Sequence, residues 1–519
     1  MTTSATSSAP AISRATPGRP TPRTVWFISA AVFVLLMAVA PRYGYFRDEL
    51  YYLACGEHPA WGYVDQPPLI CWISWLLQHT IGTSLYALRL LPALAVATTP
   101  WLTARLAGEL GGSRRAEIFA ALIAAIMPVA AGMAHLFTMN IFDFVFWTLL
   151  ALILVRLENT GNPRLWIAFG ATAGITVLNK YGVVFFLIAL LAGIVITRWR
   201  RWFVSLHFWA GTLLAILIAL PNFLWQQHRH FPFLELMANI HHNGRDVALP
   251  PLGFFLQQVQ IVNPVSVLVV FCGAIYLLRS RRYRALGIAF VVFYVTMMLM
   301  RAKNYYLAPI YPMVFAAGAV AVVEWTDRPR LRWIPIAIGV LASLIFVLAL
   351  PMLIPVLDVP HFQQYTQVTG LKTPEFEHHG RAALPQLYAD MFGWQEMVEK
   401  AAAFYNTLTP EQKQNTAIWG NNYGVAGAID FFGPRFGLPK AIAGHQSYFL
   451  WGPRDYHRPD MINLGSHDYR TLQRECDSVR VVGHADHPLS RTEEHFDIYY
   501  CQGLHFDLQQ AWNKTKKWD

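Results

Sequence analysis

VWFISAAVFVLLMAVAPRYGYFRDELYY, residues 25–52, joins two kinds of chain in one stretch. From Val25 to Ala40 nothing is charged; Pro41 then stops the run, and Arg42, Arg47, Asp48 and Glu49 follow almost at once. A bilayer core of roughly 30 Å is crossed by about 20 mostly apolar helical residues, so the stretch reads as a membrane span meeting an interface. Comparable apolar runs recur at 85–106, 118–131, 141–155, 167–177, 183–196, 213–224, 262–278, 286–300, 309–323 and 334–357. Several are short for a full crossing, but their repetition decides the class. Of 519 residues, 55% are hydrophobic and only 14% charged, with a mean hydropathy of +0.33. A soluble chain carries about 25% charged residues to cover its surface. The expected fold class is mainly α: a polytopic transmembrane helical bundle of about eleven helices by the window criterion.

The formal net charge is +10. Long basic tracts interleaved with exposed aromatics, the mark of nucleic-acid binders, are absent, and no nucleic-acid partner is expected. Instead, Arg114 with Arg115, Arg156 with Arg164, Arg198 to Arg201, Arg279 to Arg284, and Arg328 to Arg332 fall in every second connection. The positive-inside rule makes those connections cytoplasmic, together with the N-terminus. The alternate connections then lie outside: 42–84, 135–140, Lys180 with Tyr181, 226–258 and 301–307. An odd number of crossings places everything after Asp358 outside as well.

Three regions follow. Residues 1–24, rich in Ser, Thr, Ala and Pro, cannot bury a core and are expected to form a disordered cytoplasmic tail. Ala38-Val39-Ala40 resembles a signal-peptide cleavage site, but Pro41 is a poor first mature residue, and the run is read as an uncleaved first helix. Residues 25–357 form the transmembrane domain. Residues 358–519, where charged and turn residues rise, are long enough for an extracytoplasmic α/β domain. Within it, 417–419, 479–482 and 496–500 read as strands, and 391–407 and 424–432 as helices by period. Cys476 and Cys501 each flank an expected strand and are a candidate disulfide in an oxidising compartment; two buried free thiols fit the spacing equally well. No CxxC or His-rich metal pattern occurs, and the pair His241-His242 lacks further ligands.

The chemistry concentrates in the first outer connection. Carboxylates at a bilayer edge are costly unless solvated or paired, and Asp48 and Glu49 follow a span directly. A carboxylate there can take the proton of an acceptor hydroxyl. Neighbours on a helix point about 100° apart, so the two divide their tasks, one acting and the other supporting. An ion pair with Arg42 or Arg47 is the plainer alternative. Farther on, Pro67-Pro68 suits a helix start, and Leu69 to Leu77 reads as a short helix along the outer surface.

The run Arg47-Asp48-Glu49-Leu50-Tyr51-Tyr52, the Trp61-to-Leu69 segment, Asn179-Lys180-Tyr181, Lys303 to Pro309 and Asn421 to Gly424 through Trp451 to Pro453 resemble the bacterial family 39 glycosyltransferases. These are relatives of the dolichyl-phosphate-mannose protein mannosyltransferases and of the lipid A aminoarabinose transferase. The resemblance covers the chain beyond its N-terminal tail. It implies a GT-C fold, a location in the bacterial plasma membrane, and a hexosyl- or pentosyltransferase that uses a polyprenyl-phosphate sugar, with inversion and no required cofactor or metal. The acceptor implied is a hydroxyl on a glycan, lipid or protein. Asp48 matches the family's catalytic base and Glu49 its acidic neighbour. Gln66 stands where many members carry a phosphate-binding Lys, and Asn140 where relatives hold an Asp, with Asp143 one turn on.

Another cation must then balance the departing phosphate, since stabilising developing charge is usually the largest catalytic contribution. Arg301, Lys303, Lys180 and Arg89 are the candidates, with snorkelling to headgroups as the alternative for each. Tyr305, beside Lys303, is a candidate for donor binding. Asn421 to Gly424 reads as a turn opening a helix whose amides face an acceptor or phosphate, while Trp419, His445, Tyr448 and Trp451 are candidate sugar-stacking rings, with core packing as the commoner explanation. The long connection 226–258, with His241, His242 and Arg245, is a candidate lid. The rival function is a transporter or flippase of a lipid-linked sugar, which calls for broken helices and repeated halves; no repeat is visible.

Overall fold

The computed structural model describes residues 20–244, 249–371, 382–465 and 469–519. Most of the expected N-terminal tail, and Arg245, lie outside these residues. The membrane part is built from α1 (Arg23–Val39), α2 (Arg47–Glu57), α3 (Leu69–Thr80), α4 (Leu85–Glu109), α5 (Arg114–Ala125), α6 (Pro128–Ala134), α7 (Asn140–Thr160) and α8 (Leu165–Asn179). It continues through α9 (Val183–Ile196), α10 (Leu206–His228), α11 (Pro232–His242), α12 (Pro251–Val262), α13 (Ser266–Arg279), α14 (Arg284–Leu299), α15 (Tyr311–Trp325) and α16 (Ile334–Leu353).

Five of these helical segments are long and apolar enough to cross a membrane: α4, α7, α10, α15 with the turn before it, and α16. Three bent pairs pass the same test together. These are α5 with α6 at 56°, α9 with the Arg198–Val204 turn at 100°, and α12 with α13 at 108°. Shorter apolar helices α1, α8 and α14 complete the set. The breaks have local causes. The run 118–131 is two helices because Pro128 at the start of α6 donates no hydrogen bond and pushes Met127 to extended geometry, ψ 114°. Asn263, held at φ 95° before Pro264, separates α12 from α13 in the same way. Helices α10 and α16 leave large apolar faces open, with Trp209, Leu213 and Ile216 each 55% exposed, a surface suited to lipid rather than water.

Basic connections gather at one end of the bundle. The buried Glu158 carboxylate accepts from Arg198 at 3.3 Å, Arg201 at 3.0 Å and Trp202 Nε1 at 2.6 Å, and its backbone carbonyl accepts from Arg282 at 2.7 Å. Arg156 reaches Glu109 nearby at 2.8 Å. Loops that the charge pattern assigns to one side therefore share that end.

At the other end the chain after α16 forms a layer around a four-stranded sheet of order β1-β2-β4-β3: β1 (Thr416–Gly420), β2 (Asp460–Leu464), β3 (Cys476–Ala485) and β4 (Phe496–Leu504). β1 and β2 run parallel and the remaining pairs antiparallel. The three expected strands are present; β2, whose short Asp-Met-Ile-Asn-Leu carries no clear alternation, is additional. The expected helices are Trp394–Tyr405 and Tyr423–Phe432. This layer does not stand apart from the first connection. Leu50, Tyr51, Leu53 and Ile70 of α2 and α3 share one buried cluster with Val425, Ile429, Ile462, Ile498 and Tyr500.

Cys476 and Cys501 are joined in a disulfide tying β3 to β4, with Cα atoms 5.8 Å apart. Closing a loop of this size restricts the unfolded chain by about 3 kcal/mol. Cys501→Ser is therefore expected to lower the thermal midpoint of the purified protein, and reductant to lower the wild type's but not the variant's.

Candidate active site

Glu49 fixes the geometry around Asp48. It occupies the first turn of α2 and is completely buried, as is Arg89 of α4 at 1% exposure. Arg89 Nε donates to Glu49 Oε1 at 3.0 Å and Nη2 to Oε2 at 2.9 Å. The other guanidinium protons go to the carbonyls of Ala40 at 2.6 Å, Gly44 at 2.7 Å and Arg42 at 3.4 Å. Glu49 also accepts from the amides of Phe46 and Phe137, each at 2.8 Å. Five donors and about four acceptor positions are the full capacity of these groups, and every one is used. Glu49 thus has no acceptor position left, and Arg89, expected as a phosphate cation, is enclosed with it.

Asp48, next along α2, points elsewhere and keeps 30% of its side chain exposed. Its Oδ1 accepts from the Tyr423 hydroxyl at 2.8 Å, across 375 residues of sequence, and lies 3.8 Å from Arg47 Nε. Helix 423–432 brings Tyr423 there because it docks tightly on α2. A Cβ at Gly427 would stand 3.0 Å from the Leu50 carbonyl oxygen, and one at Gly424 would overlap Arg47 Cγ. The amides expected to face a ligand at this helix start are occupied, since Asn422 Oδ1 accepts from Gly424 and Val425, each at 2.9 Å. Arg47 also lies over the Tyr423 ring, 5.2 Å from its centroid.

A cavity of about 210 Å³ opens beside Asp48. Its walls include Asp48, Lys303, Tyr305 and Asn140, while Pro128, Val129, Met352 and Leu353 extend it into the bundle. Tyr305 and Asn140 also line an adjoining niche with Asp143, Lys180 and Tyr306. There Lys180 donates to Asn140 Oδ1 and sits 4.4 Å from the centroid of Tyr306 and 5.2 Å from that of Tyr305. Asn179 donates to Asp143 at 2.8 Å. The structure therefore brings Asp48, Lys303, Tyr305 and Asn140 together, with Lys180 and Asp143 one layer behind.

Other expected residues fall elsewhere. Arg301 is exposed, with φ +50°, and is not on the cavity wall. Gln66 is buried, its amide 3.2 Å from Cys71 Sγ. Tyr448 is buried against Asp430 at 2.9 Å, Trp451 stacks on His58 with centroids 4.2 Å apart, and Trp419 belongs to the core behind the sheet. Among the described residues no three His, Cys, Asp or Glu side chains converge as a metal site.

Sequence reading did not anticipate an ionic cluster behind Arg47. The Arg47 amide donates to the Asp390 carbonyl at 3.0 Å, and Arg491 pairs with Asp390 at 3.3 Å and with Glu493 at 3.2 Å. Glu494 is buried beside them; burial pushes its carboxyl up from 4.5 to about 7, Arg47 opposing and Asp390 adding to the shift. These residues lie more than 300 positions from Arg47, and no local pattern marks them.

Residues 65–225 match the family model of the dolichyl-phosphate-mannose-protein mannosyltransferases. ArnT from Cupriavidus metallidurans bound to undecaprenyl phosphate superimposes with TM-score 0.58 and 16% identity, covering 92% of this chain and 98% of that one. The chain shares the GT-C fold of that structure. ArnT in the apo state agrees, at TM-score 0.58 and 15% identity over the same shares. No curated protein matches this GT-C chain in sequence.

Two outcomes are expected from these pairings. Arg89→Met leaves the Glu49 carboxylate buried without its cation, which costs about 3–5 kcal/mol, so the detergent-solubilised variant should melt well below wild type. For Glu494 the sign follows from its raised folded value. The folded state holds the proton more tightly, so this group's stabilisation is complete below 4.5 and is lost as pH rises through about 7. Thermal midpoints of Glu494→Gln measured from about pH 5 to about pH 8 should fall less with pH than those of wild type.

Proposed function

We propose that this protein transfers a sugar from a polyprenyl-phosphate donor to an acceptor hydroxyl on the extracytoplasmic side of the membrane, with inversion at the anomeric carbon. The observation that carries the reading is the cavity beside Asp48. It runs from apolar side chains of membrane helices to a carboxylate and an ammonium group on one wall. A lipid phosphate has that same division, an apolar chain ending in an anion that links to a polar ring.

In the proposed reaction the donor's prenyl chain lies against Val129, Met352 and Leu353. Asp48 takes the proton of the acceptor hydroxyl as its oxygen bonds to the anomeric carbon. The bond from that carbon to the phosphate oxygen breaks on the opposite face, and its electron pair leaves with polyprenyl phosphate. Lys303 faces the charge that develops there, and Tyr305 frames the donor phosphate. Lys180 and Asp143 set the field behind this wall through Asn140 and Tyr305. Tyr423 holds Asp48 in place through Oδ1, so proton transfer uses Oδ2. The relative's bound undecaprenyl phosphate supports a lipid carrier of this class. The flippase alternative needs a polar path through the bundle, whereas an apolar cluster including Phe144, Trp147, Phe293 and Phe315 fills its interior.

Purified protein given labelled polyprenyl-phosphate sugars should transfer the label, and Asp48→Asn should lower kcat by about 10²–10⁴-fold without weakening donor binding. Lys303→Met should cost about 10²–10³-fold, the range for removing one group aimed at developing charge. Undiminished transfer by Asp48→Asn would move the base elsewhere. Net translocation of the lipid-linked sugar without transfer would favour the flippase.

A further inference from the structure

A second cavity, of about 320 Å³, lies in the layer formed by the C-terminal region. Its lining includes Arg47, Tyr423, His445, Arg491, Glu493 and Asp519. Arg47 also lines the cavity in the bundle, and Tyr423 hydrogen-bonds to Asp48. The carboxylate therefore lines one space and is one side chain away from the other. The two differ in kind: apolar residues of membrane helices dominate one wall, and charged and aromatic residues the other.

We propose that this second cavity is the acceptor subsite and that it takes a carbohydrate ring rather than an alkyl chain. The assignment rests on the transferase reading above. Tyr423 and the buried His445 stack on each other with centroids 5.2 Å apart and planes 16° from parallel, which gives the cavity a rigid aromatic wall. Around it stand cationic donors, Arg47 and Arg491, and carboxylate acceptors, Glu493 and Asp519. Ring hydroxyls donate and accept, so they engage both sets. An alkyl chain would strip water from these groups and replace none of its hydrogen bonds, at a cost of about 1–3 kcal/mol per group. The volume sits at the small end of the range for small-molecule sites, about 300–1,000 Å³, which suits one or two sugar rings.

The geometry gives Tyr423 a positioning role. A hydroxyl that enters from this cavity passes the Tyr423 hydroxyl and meets Asp48 at Oδ2, while Tyr423 keeps its hold on Oδ1. Ile240 and Asn243, at the end of α11, form part of the same wall. Among the described residues, the connection between α10 and α12 lines this cavity and not the one in the bundle.

The test uses the full-length protein in nanodiscs. Saturation-transfer NMR with a panel of free disaccharides reads sugar binding, and release of label from polyprenyl-phosphate sugars with water as acceptor reads the donor chemistry separately. Asn243→Trp and Ile240→Trp fill the cavity from residues outside the catalytic wall. The expected result is saturation of at least one disaccharide by wild type, weakened at least about tenfold by either variant, with donor cleavage unchanged. No saturation of any sugar by wild type, or saturation that both variants leave intact, overturns the proposal. Sugar binding by wild type with label neither released to water nor transferred to the bound sugar would refute the transferase reading and the acceptor role with it, while leaving the cavity's carbohydrate preference standing.

Discussion

The arrangement around the candidate site depends on one buried ion pair. Burying a carboxylate and a guanidinium is unfavourable unless each also finds its remaining hydrogen-bond partners. Glu49 and Arg89 achieve this by drawing in four separate pieces of chain: the carbonyl at the end of α1, those of the turn that follows, the amide at the start of α2, and the amide of Phe137 between α6 and α7. The turn from Ala40 to Phe46 is folded so that three of its carbonyls face Arg89. The direction in which α2 leaves the bundle follows, and with it the position of Asp48.

That constraint also places the adjacent carboxylates in different surroundings. Neighbours on a helix diverge by about 100°, so fixing Glu49 inward requires Asp48 to face away from the pair. It meets Tyr423 from the C-terminal layer and an open cavity. A carboxylate bound at every lone pair, like Glu49, is a poor base because taking a proton would sacrifice its hydrogen bonds. Asp48, held through Oδ1 and still partly exposed, can accept one with little rearrangement.

The fold was largely legible because its signals are local. Apolar runs, alternating basic connections and the strands at 416–420, 476–485 and 496–504 each announce themselves within a few residues. Breaks such as Met127-Pro128 and Asn263-Pro264 show where a run of the right length still fails to be one helix. The site was legible only in part. Asp48, Lys303, Tyr305 and Asn140 stand out beside membrane spans, and the structure gathers them. Arg89 looked the same in sequence as Lys303, a cation near the end of an apolar helix; only the fold distinguishes one enclosed by Glu49 from one on a cavity wall. The contacts of Arg47 with Asp390 and of Asp48 with Tyr423 span more than 300 residues, and no spacing rule reaches that far.

The distribution of the family match carries a physical lesson of its own. The matched stretch, 65–225, begins after Asp48 and ends before Lys303 and Tyr423. It contains α3, α4 and α7 to α10, whose glycine contacts and apolar faces set how the bundle packs. Gly170 and Gly211, for instance, bring α8 and α10 so close that no Cβ fits between them. Such packing limits which residues a sequence can accept, whatever reaction the scaffold hosts. Asp48, Lys303 and Tyr423 come instead from the first connection, the turn before α15 and the C-terminal layer. Fold alone does not fix an activity; the proposed one rests on a partly exposed carboxylate and an ammonium group on the wall of a cavity that apolar side chains also line.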